Sequence, residues 1–320
     1  MTVLHASPLA GTPVDQHAID GVLVVNKPTG WTSHDVVAKL RGLLRGHKVG
    51  HAGTLDPAAT GVLPLLVGRA TRIAEYLVEW DKEYRAVLRL GQVTDTQDAT
   101  GQVLAHRSIE GITAQAVADV VARFRGRIMQ LPPMYSAIKV DGVPLYKVAR
   151  AGRTVAREPR EVTIHRLDIV QVDGSDVTLH VVCSKGTYVR TLCADIGEAL
   201  GVGGHLYALD RRRVGRLTIE EALSIDTIAC RAAAGQLSEH LHSLDEVLSD
   251  FPALTVNDAT AARVLHGVPV PIDPAAGPGA GCVLRIKDGQ GRLLAMGRVA
   301  AGDRPTVMIE KVLLVPAPGA

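Results

Sequence analysis

The sequence predicts an α+β protein: a mixed, largely antiparallel sheet flanked by helices, followed by a small β-rich C-terminal unit. Strand-like and helix-like segments are interspersed without the strict β-α alternation that a parallel sheet requires. Residues 84–90 alternate with period two, as a strand with one covered face does, and two further strands meet at an Asp173-Gly174 turn. Beyond about residue 250 the texture changes to short strands punctuated by Pro and Gly. At 320 residues the chain accommodates two units. The division expected is a loose N-terminal tail over 1–18, a large unit over 19–249 and a small one over 250–320.

Taken in order, Gly21 to Val25 is a short apolar run ended by the turn signal Asn26-Lys27-Pro28-Thr29-Gly30, which reads as a buried strand and a tight loop. A helix follows, capped by Thr32 or Ser33, with Asp35 in its first turn and Val36, Val37, Leu40, Leu43 and Leu44 at helical spacing. After a loop rich in Gly, His and Pro, Val62 to Val67 reads as a strand and Ala70 to Trp80 as a helix. Tyr84, Ala86, Leu88 and Leu90 share one face of the next strand. Thr94 to Gly101 is a polar hairpin loop, and Thr113 to Phe124 an amphipathic helix. Strands are expected over Ser136 to Val140, Glu161 to Val170 and Asp176 to Cys183, then a helix over Thr187 to Leu200 that stops at Gly201 to Gly204.

Composition narrows the function classes. Apolar residues make up 47% and charged residues 21%, the balance of a globular chain with a sizeable core. No apolar run reaches the roughly 18 to 20 residues of a membrane span, and the first 18 residues lack the pattern of a secretory signal, so a cytoplasmic location is expected. Cys183, Cys193, Cys230 and Cys282 are scattered, with no C-x-x-C pair, which argues against structural zinc and a disulfide framework. Net charge is only +2, but basic residues cluster at Arg41/Arg45/Lys48, Arg123/Arg125/Arg127, Arg150/Arg153/Arg157/Arg160 and Arg211/Arg212/Arg213/Arg216. Such clusters are the footprint expected where phosphates are met.

The most informative stretch is Gly50-His51-Ala52-Gly53-Thr54-Leu55-Asp56-Pro57-Ala58-Ala59-Thr60-Gly61. It sets one carboxylate in a rigid loop, with Pro57 biasing Asp56 away from helical geometry. No Gly-Lys-Ser/Thr closes it, so it is not a phosphate-binding Walker loop. The string closely resembles the catalytic motif of the TruB-type tRNA pseudouridine synthases. Asn26-Lys27-Pro28-Thr29-Gly30-Trp31-Thr32-Ser33 looks like the family's upstream motif, Asp81-Lys82-Glu83-Tyr84-Arg85 like the one with its active-site Tyr, and Ser184-Lys185-Gly186-Thr187-Tyr188-Val189-Arg190-Thr191-Leu192 like the one with its paired Arg. Order and spacing agree over about residues 20 to 225, and one departure is Asn26, where the family more often has Asp.

The resemblance implies a pseudouridine synthase fold and isomerisation of a T-loop uridine of tRNA, extruded from its stack, with Asp56 as nucleophile. It implies Arg190 as the partner of that carboxylate, Tyr84 stacked on the target base, and Tyr188 and Leu209 in the pocket. His51 is expected to contact RNA and Lys27 to belong to the substrate site, while Arg211 and Arg213 are expected to meet the RNA backbone. Residues 252–316 are similar to a small RNA-binding PUA domain. The chemistry fits independently: breaking N1–C1′, rotating uracil and rejoining through C5 is redox-neutral and consumes no water, so neither cofactor nor metal is expected. A carboxylate can attack C1′ or abstract the 2′ proton, and the sequence leaves both routes open. The expected partner is the tRNA T-arm stem-loop, with no membrane, and the expected state is a monomer. The alternatives are a non-catalytic RNA-binding protein on the same scaffold, a guide-RNA-dependent relative, and a retaining glycosidase, for which no second carboxylate can be named. Asp95 and Asp98 lack calcium-loop spacing and read as a hairpin tip, and Gly201-Val202-Gly203-Gly204 follows a helix, unlike a dinucleotide fingerprint.

Overall fold

The opening apolar run forms β1 (Gly21–Lys27), in which only Asn26 is exposed. The protein, a computed structural model, is described over residues 19–136, 138–140, 142–273, 278–302 and 305–314. The tail expected over 1–18 lies outside the described residues. Of the two possible caps, Thr32 begins α1 (Ser33–Leu43). Asp35 N donates to Thr32 Oγ1 at 3.1 Å and Thr32 N to the Asp35 carboxylate at 2.8 Å, a reciprocal capping box. The chain continues through β2 (Val49–His51) and β3 (Thr60–Val67). The helix expected over 70–80 is instead a 3₁₀ turn, Gly68–Ile73, followed by the short α2 (Ala74–Val78). Asp20 accepts from both Arg69 N and Arg69 Nε, at 2.5 and 2.6 Å, and so pins the first turn against the start of β1.

β4 (Lys82–Leu90) alternates as expected, with Lys82, Tyr84, Ala86, Leu88 and Leu90 buried. β5 (Gln92–Thr94) and β6 (Val103–His106) flank the polar hairpin loop. Next come α3 (Ala114–Ala122), capped by Thr113, and β7 (Gly126–Gln130). The strand expected over 136–140 is reduced to the two residues of β8 (Lys139–Val140), paired with β9 (Val143–Pro144) ahead of α4 (Leu145–Arg150). β10 (Arg160–Asp173) and β11 (Asp176–Cys183) form the expected hairpin, and α5 (Val189–Ala199) the expected helix. The stretch after the glycines is an 11-residue strand, β12 (Gly204–Val214), followed by β13 (Leu217–Thr218), α6 (Ile225–Ala233) and α7 (Leu244–Val247).

Among the described residues these strands make a nine-stranded sheet ordered β1-β3-β12-β4-β11-β10-β7, with β2 on β3 and β13 on β12. It is mixed and largely antiparallel: β12 on β3 is its parallel pairing, made at Asp210↔Thr60 and Arg211↔Gly61. Gly61 has φ +101°, and a Cβ there would run into the backbone of Arg211, so only glycine permits this crossing. α3 and α5 cover one end of the sheet through Val117, Val121, Leu192 and Ile196 against Ala86, Leu88 and Leu179. At the other end α1 and α6 bury Val36, Leu40 and Ile228 against Leu23, Leu63 and Leu65, each of which is fully buried and contributes about 1.5–3 kcal/mol.

The C-terminal part contains β14 (Ala253–Thr255), α8 (Asp258–Leu265), β15 (Val270–Pro271), β16 (Val283–Lys287), β17 (Leu293–Ala300) and β18 (Thr306–Val312). Its strands form one five-stranded sheet. The sheet is fastened to the larger unit: Met296 and Leu313 join Val22, Val24, Leu66 and Val247 in one apolar cluster. Tyr76 Oη donates to Glu310 at 2.9 Å and Arg69 to the Leu313 carbonyl at 3.1 Å.

Candidate active site

Asp56 stands on the loop between β2 and β3, and the turn after β1 holds that loop from beneath. Lys27 is fully buried, and its ammonium donates to the carbonyls of Pro28, Trp31 and Pro57 at 2.9, 2.7 and 3.2 Å. Burial lowers its pKa to about 8 although Asp56 pulls the other way. Lys27 was expected in the substrate site; the structure corrects this, since an ammonium enclosed by three carbonyls supports the loop and has no surface left for a substrate. Gly30 N donates to Pro57 O at 2.8 Å, Leu55 N to Ser33 Oγ at 2.9 Å and Ser33 Oγ to Leu55 O at 3.2 Å. The first two motifs are therefore one structural piece.

From the opposite wall Arg190, in the first turn of α5, forks onto the carboxylate. Its Nε lies 2.9 Å from Oδ2 and its Nη2 3.4 Å from Oδ1. The Arg190 side chain is 6% exposed whereas that of Asp56 is 40% exposed, so the cation is fixed and the anion presented. Arg190 also donates to the carbonyls of Tyr135 and Thr96, at 2.9 and 3.3 Å. Enclosure pushes the Asp56 pKa upward; Arg190 opposes this, and Asp98 adds to it.

Asp98 is a member of the site that the sequence reading passed over. One of its oxygens lies 3.6 Å from Arg190 Nη1, and the other accepts from Thr96 Oγ1, Thr100 N and Thr100 Oγ1 at 2.8, 2.9 and 2.6 Å. The hairpin tip is pinned to β12 by Leu206 N donating to Gln97 O and Ala99 N to Leu206 O, at 3.0 and 2.9 Å. Gln97 takes φ +63°, the one non-glycine residue among those described with positive φ, and its side chain accepts from Thr191 Oγ1 at 2.9 Å. Strain held in this way is a mark of functional loops. The run Thr94-Asp95-Thr96-Gln97-Asp98 reads in sequence as a hairpin tip, which gives no sign that the tip docks beside Arg190.

A small cleft opens over this ion pair, walled by Asp56, Asp98, Arg190, Leu206, Tyr207 and Leu209. Leu209 lines this cleft together with Asp56. Tyr84 is buried on β4, and burial pushes its phenol up to about 12, so it is neutral near pH 7. Tyr188 is the N-cap of α5, its backbone N donating to Gln130 Oε1 at 3.0 Å and its carbonyl accepting from Gln130 Nε2 at 3.2 Å. His51 ends β2 with its ring edge-on to His34, centroids 5.5 Å apart. Its buried Nδ1 has no hydrogen-bond partner, and burial lowers its pKa to about 4. A more open cleft of about 580 Å³ runs past Trp31, Thr60 and Asp226, but Asp56 is not in its wall.

The arginines after Leu209 are not the phosphate comb expected. Arg211 is 1% exposed, and its guanidinium donates to the carbonyls of Val62, Gly53 and Thr54 at 2.7, 3.0 and 3.4 Å. It points inward because β12 is an inner strand whose alternation turns residue 211 toward the Asp56 loop. Arg213 is half-buried, donating to Glu83 at 2.8 Å and to Gly215 O at 2.7 Å. Arg212 and Arg216 also have carboxylate partners. Arg45, Lys48 and Arg123 are exposed and form no ion pair among the described residues.

A carboxylate forked by an enclosed guanidinium at the mouth of a small cleft suits C-glycoside chemistry, and comparison with known proteins supplies the family. The model of the TruB family pseudouridylate synthase N-terminal domain matches residues 41–189, and that of the tRNA pseudouridylate synthase B C-terminal domain matches residues 190–250. The chain is 47% identical over 290 residues to tRNA pseudouridine synthase B of Burkholderia mallei, covering 90% of this chain and 95% of that one. The chain belongs to the TruB family of pseudouridylate synthases. The namesake protein of Syntrophotalea carbinolica is 48% identical over 258 residues, 81% of this chain and 84% of that one. In solved structures, the archaeal box H/ACA sRNP Nop10–Cbf5 complex contains a chain that superposes with TM-score 0.72 at 26% identity, over 95% of this chain and 89% of that one. A Cbf5–Nop10–Gar1 complex gives 0.73 at 28%, over 95% and 88%. As a TruB-family enzyme the protein is an RNA pseudouridine synthase, an isomerase, on the pseudouridine synthase fold with an added β-rich C-terminal sheet. Among the described residues no helix is long and apolar enough to cross a membrane.

Proposed function

We propose that the protein isomerises a T-loop uridine of tRNA to pseudouridine, with Asp56 as the nucleophilic carboxylate. The observation that carries this is the asymmetric pair: Asp56 open to the cleft, Arg190 enclosed behind it. The fixed guanidinium keeps the carboxylate ionised despite shelter, ready to attack C1′ as positive charge develops there or to take the 2′ proton. Both routes return every atom to the product, so the proposal requires no cofactor or metal. Tyr84, neutral at pH 7, supports the flipped uracil, with Leu209 and Tyr188 closing around it. His51, half-buried at the end of β2, is read as an RNA contact through the accessible part of its ring. Exposed Arg45, Lys48 and Arg123 replace Arg211 and Arg213 as the phosphate contacts, and the C-terminal sheet is read as a second, PUA-like RNA-binding unit, the protein acting as a monomer.

The 47% identity to proteins named tRNA pseudouridine synthase B, against 26% to the chain from the Nop10–Cbf5 complex, favours tRNA acting directly as substrate over a guide-RNA assembly. The test is to incubate purified protein with unmodified tRNA, nothing else added, and map pseudouridine at single-nucleotide resolution. Asp56→Asn should lower turnover at least ~10³-fold, about 4 kcal/mol of barrier, while tRNA affinity stays within a few-fold. Equal loss of both would make Asp56 a structural residue.

A further inference from the structure

Tyr207 carries a feature that the reaction as described leaves unused. It lies on β12 where the pairing with β4 slips: Leu206 faces Leu88 and Ala208 faces Val87, so Tyr207 is the extra residue of a bulge. Bulges beside active sites re-aim a side chain, and this one turns a large aromatic ring outward, 46% exposed. The ring is held: the Arg89 guanidinium carbon lies 3.4 Å from its centroid. Arg89 is itself locked by a two-pronged pair with Asp176, Nε to Oδ1 and Nη2 to Oδ2, both at 2.7 Å, across the β4–β11 register. The ring also borders the cleft that holds Asp56, Arg190 and Leu209.

A solvent-facing aromatic ordinarily loses little by rotating away. Here a fixed cation backs one side of it and leaves much of the residue exposed beside the cleft. An aromatic surface fixed in that manner suits the π-face of a nucleobase, which stacks on such rings without regard to sequence.

We propose that Tyr207 is a stacking platform for a base adjacent to the extruded uridine, a binding residue that holds the flanking strand open while Asp56 acts. This rests on RNA being the substrate, as proposed above. The sandwich of carboxylate, guanidinium, ring and base would keep the neighbouring nucleotide from restacking into the space that the uridine has left.

The experiment uses the full chain and tRNA carrying 2-aminopurine on one or the other side of the target uridine, since stacking quenches that probe. Tyr207→Phe, which keeps the ring, should quench as the unmutated protein does. Tyr207→Leu, which keeps bulk but no π-face, should give a brighter complex and about tenfold weaker binding. In the unmutated protein, 5-iodouridine at the same positions should photocrosslink to Tyr207, a readout independent of any variant's folding. Unchanged brightness and affinity in Tyr207→Leu, or crosslinks only elsewhere, would overturn the platform. Absence of pseudouridine in unlabelled tRNA treated with unmutated protein would overturn the functional reading instead, so the two failures are separable.

Discussion

A carboxylate is costly to shelter in its charged form, and enclosure raises the pKa of Asp56 while the neighbouring Arg190 lowers it. Arg190, with its guanidinium bound to two carbonyls and facing two acids, supplies the compensation. His51 shows the opposite case, a base whose proton is disfavoured. Its folded-state value, about 4, lies below its usual 6.5. The folded state therefore binds fewer protons between those limits, so stability is lost as pH falls from about 6.5 toward 4 and is constant above. His51→Asn removes that titration. The stability advantage of the unmutated protein over the variant, measured by urea unfolding, should shrink between pH 7 and pH 4.5. A constant difference would mean that the ring is solvated and charges freely. At this scale the pairing of Asp56 with Arg190 was legible only through the resemblance of their two motifs to those of the family, since each local pattern alone reads as a turn or a helix start. Asp98 was not, because its role depends on a hairpin tip docking on β12, a contact that no local pattern encodes.

Strand β12 was the least visible element. Its residues, GHLYALDRRRV, do not alternate in polarity, since bulges after Leu206 and after Arg211 shift the inward face twice. Read as a local string, its three arginines look like an RNA-facing surface. Folded between β3 and β4, the strand turns Arg211 into a brace for the Asp56 loop. Arg211→Met should therefore cost at least ~3 kcal/mol of stability, because an enclosed side chain loses its three carbonyl contacts, the one to Val62 fully buried. It should leave the salt dependence of tRNA binding by the remaining folded protein unchanged, since no phosphate contact is lost. Urea titrations and binding at several salt concentrations check both, and a flatter slope at normal stability would return Arg211 to the RNA surface. The elements with clean period, β4, α1 and the β10–β11 hairpin, appear as the pattern dictates. The helix expected at 70–80 shortened because Asp20, distant in sequence, fixes its first turn.

The whole molecule joins the larger sheet to the C-terminal one through a shared apolar seam, with Met296 fully buried and Leu313 nearly so. A chain ending at residue 249 would uncover their partners Val22, Leu66 and Val247. The loss of roughly 3–5 kcal/mol expected from two such side chains corresponds to a melting temperature lower by about 10 °C. Calorimetry of the truncated chain tests this, and an unchanged transition would show two independent cores. The division into units at about residue 250 was suggested by texture alone, whereas the seam depends on which faces meet and leaves no trace in the local sequence.

The acid and its guanidinium are separated by 134 residues of chain, and the brace from Arg211 reaches the Asp56 loop only when β12 slots beside β3 at Gly61. A ribosome must release about two-thirds of the 320 residues before these parts can meet. Until then the nascent protein holds an aspartate without its guanidinium partner, so the ion pair, and with it the chemistry proposed for it, arrives late in synthesis and as one unit.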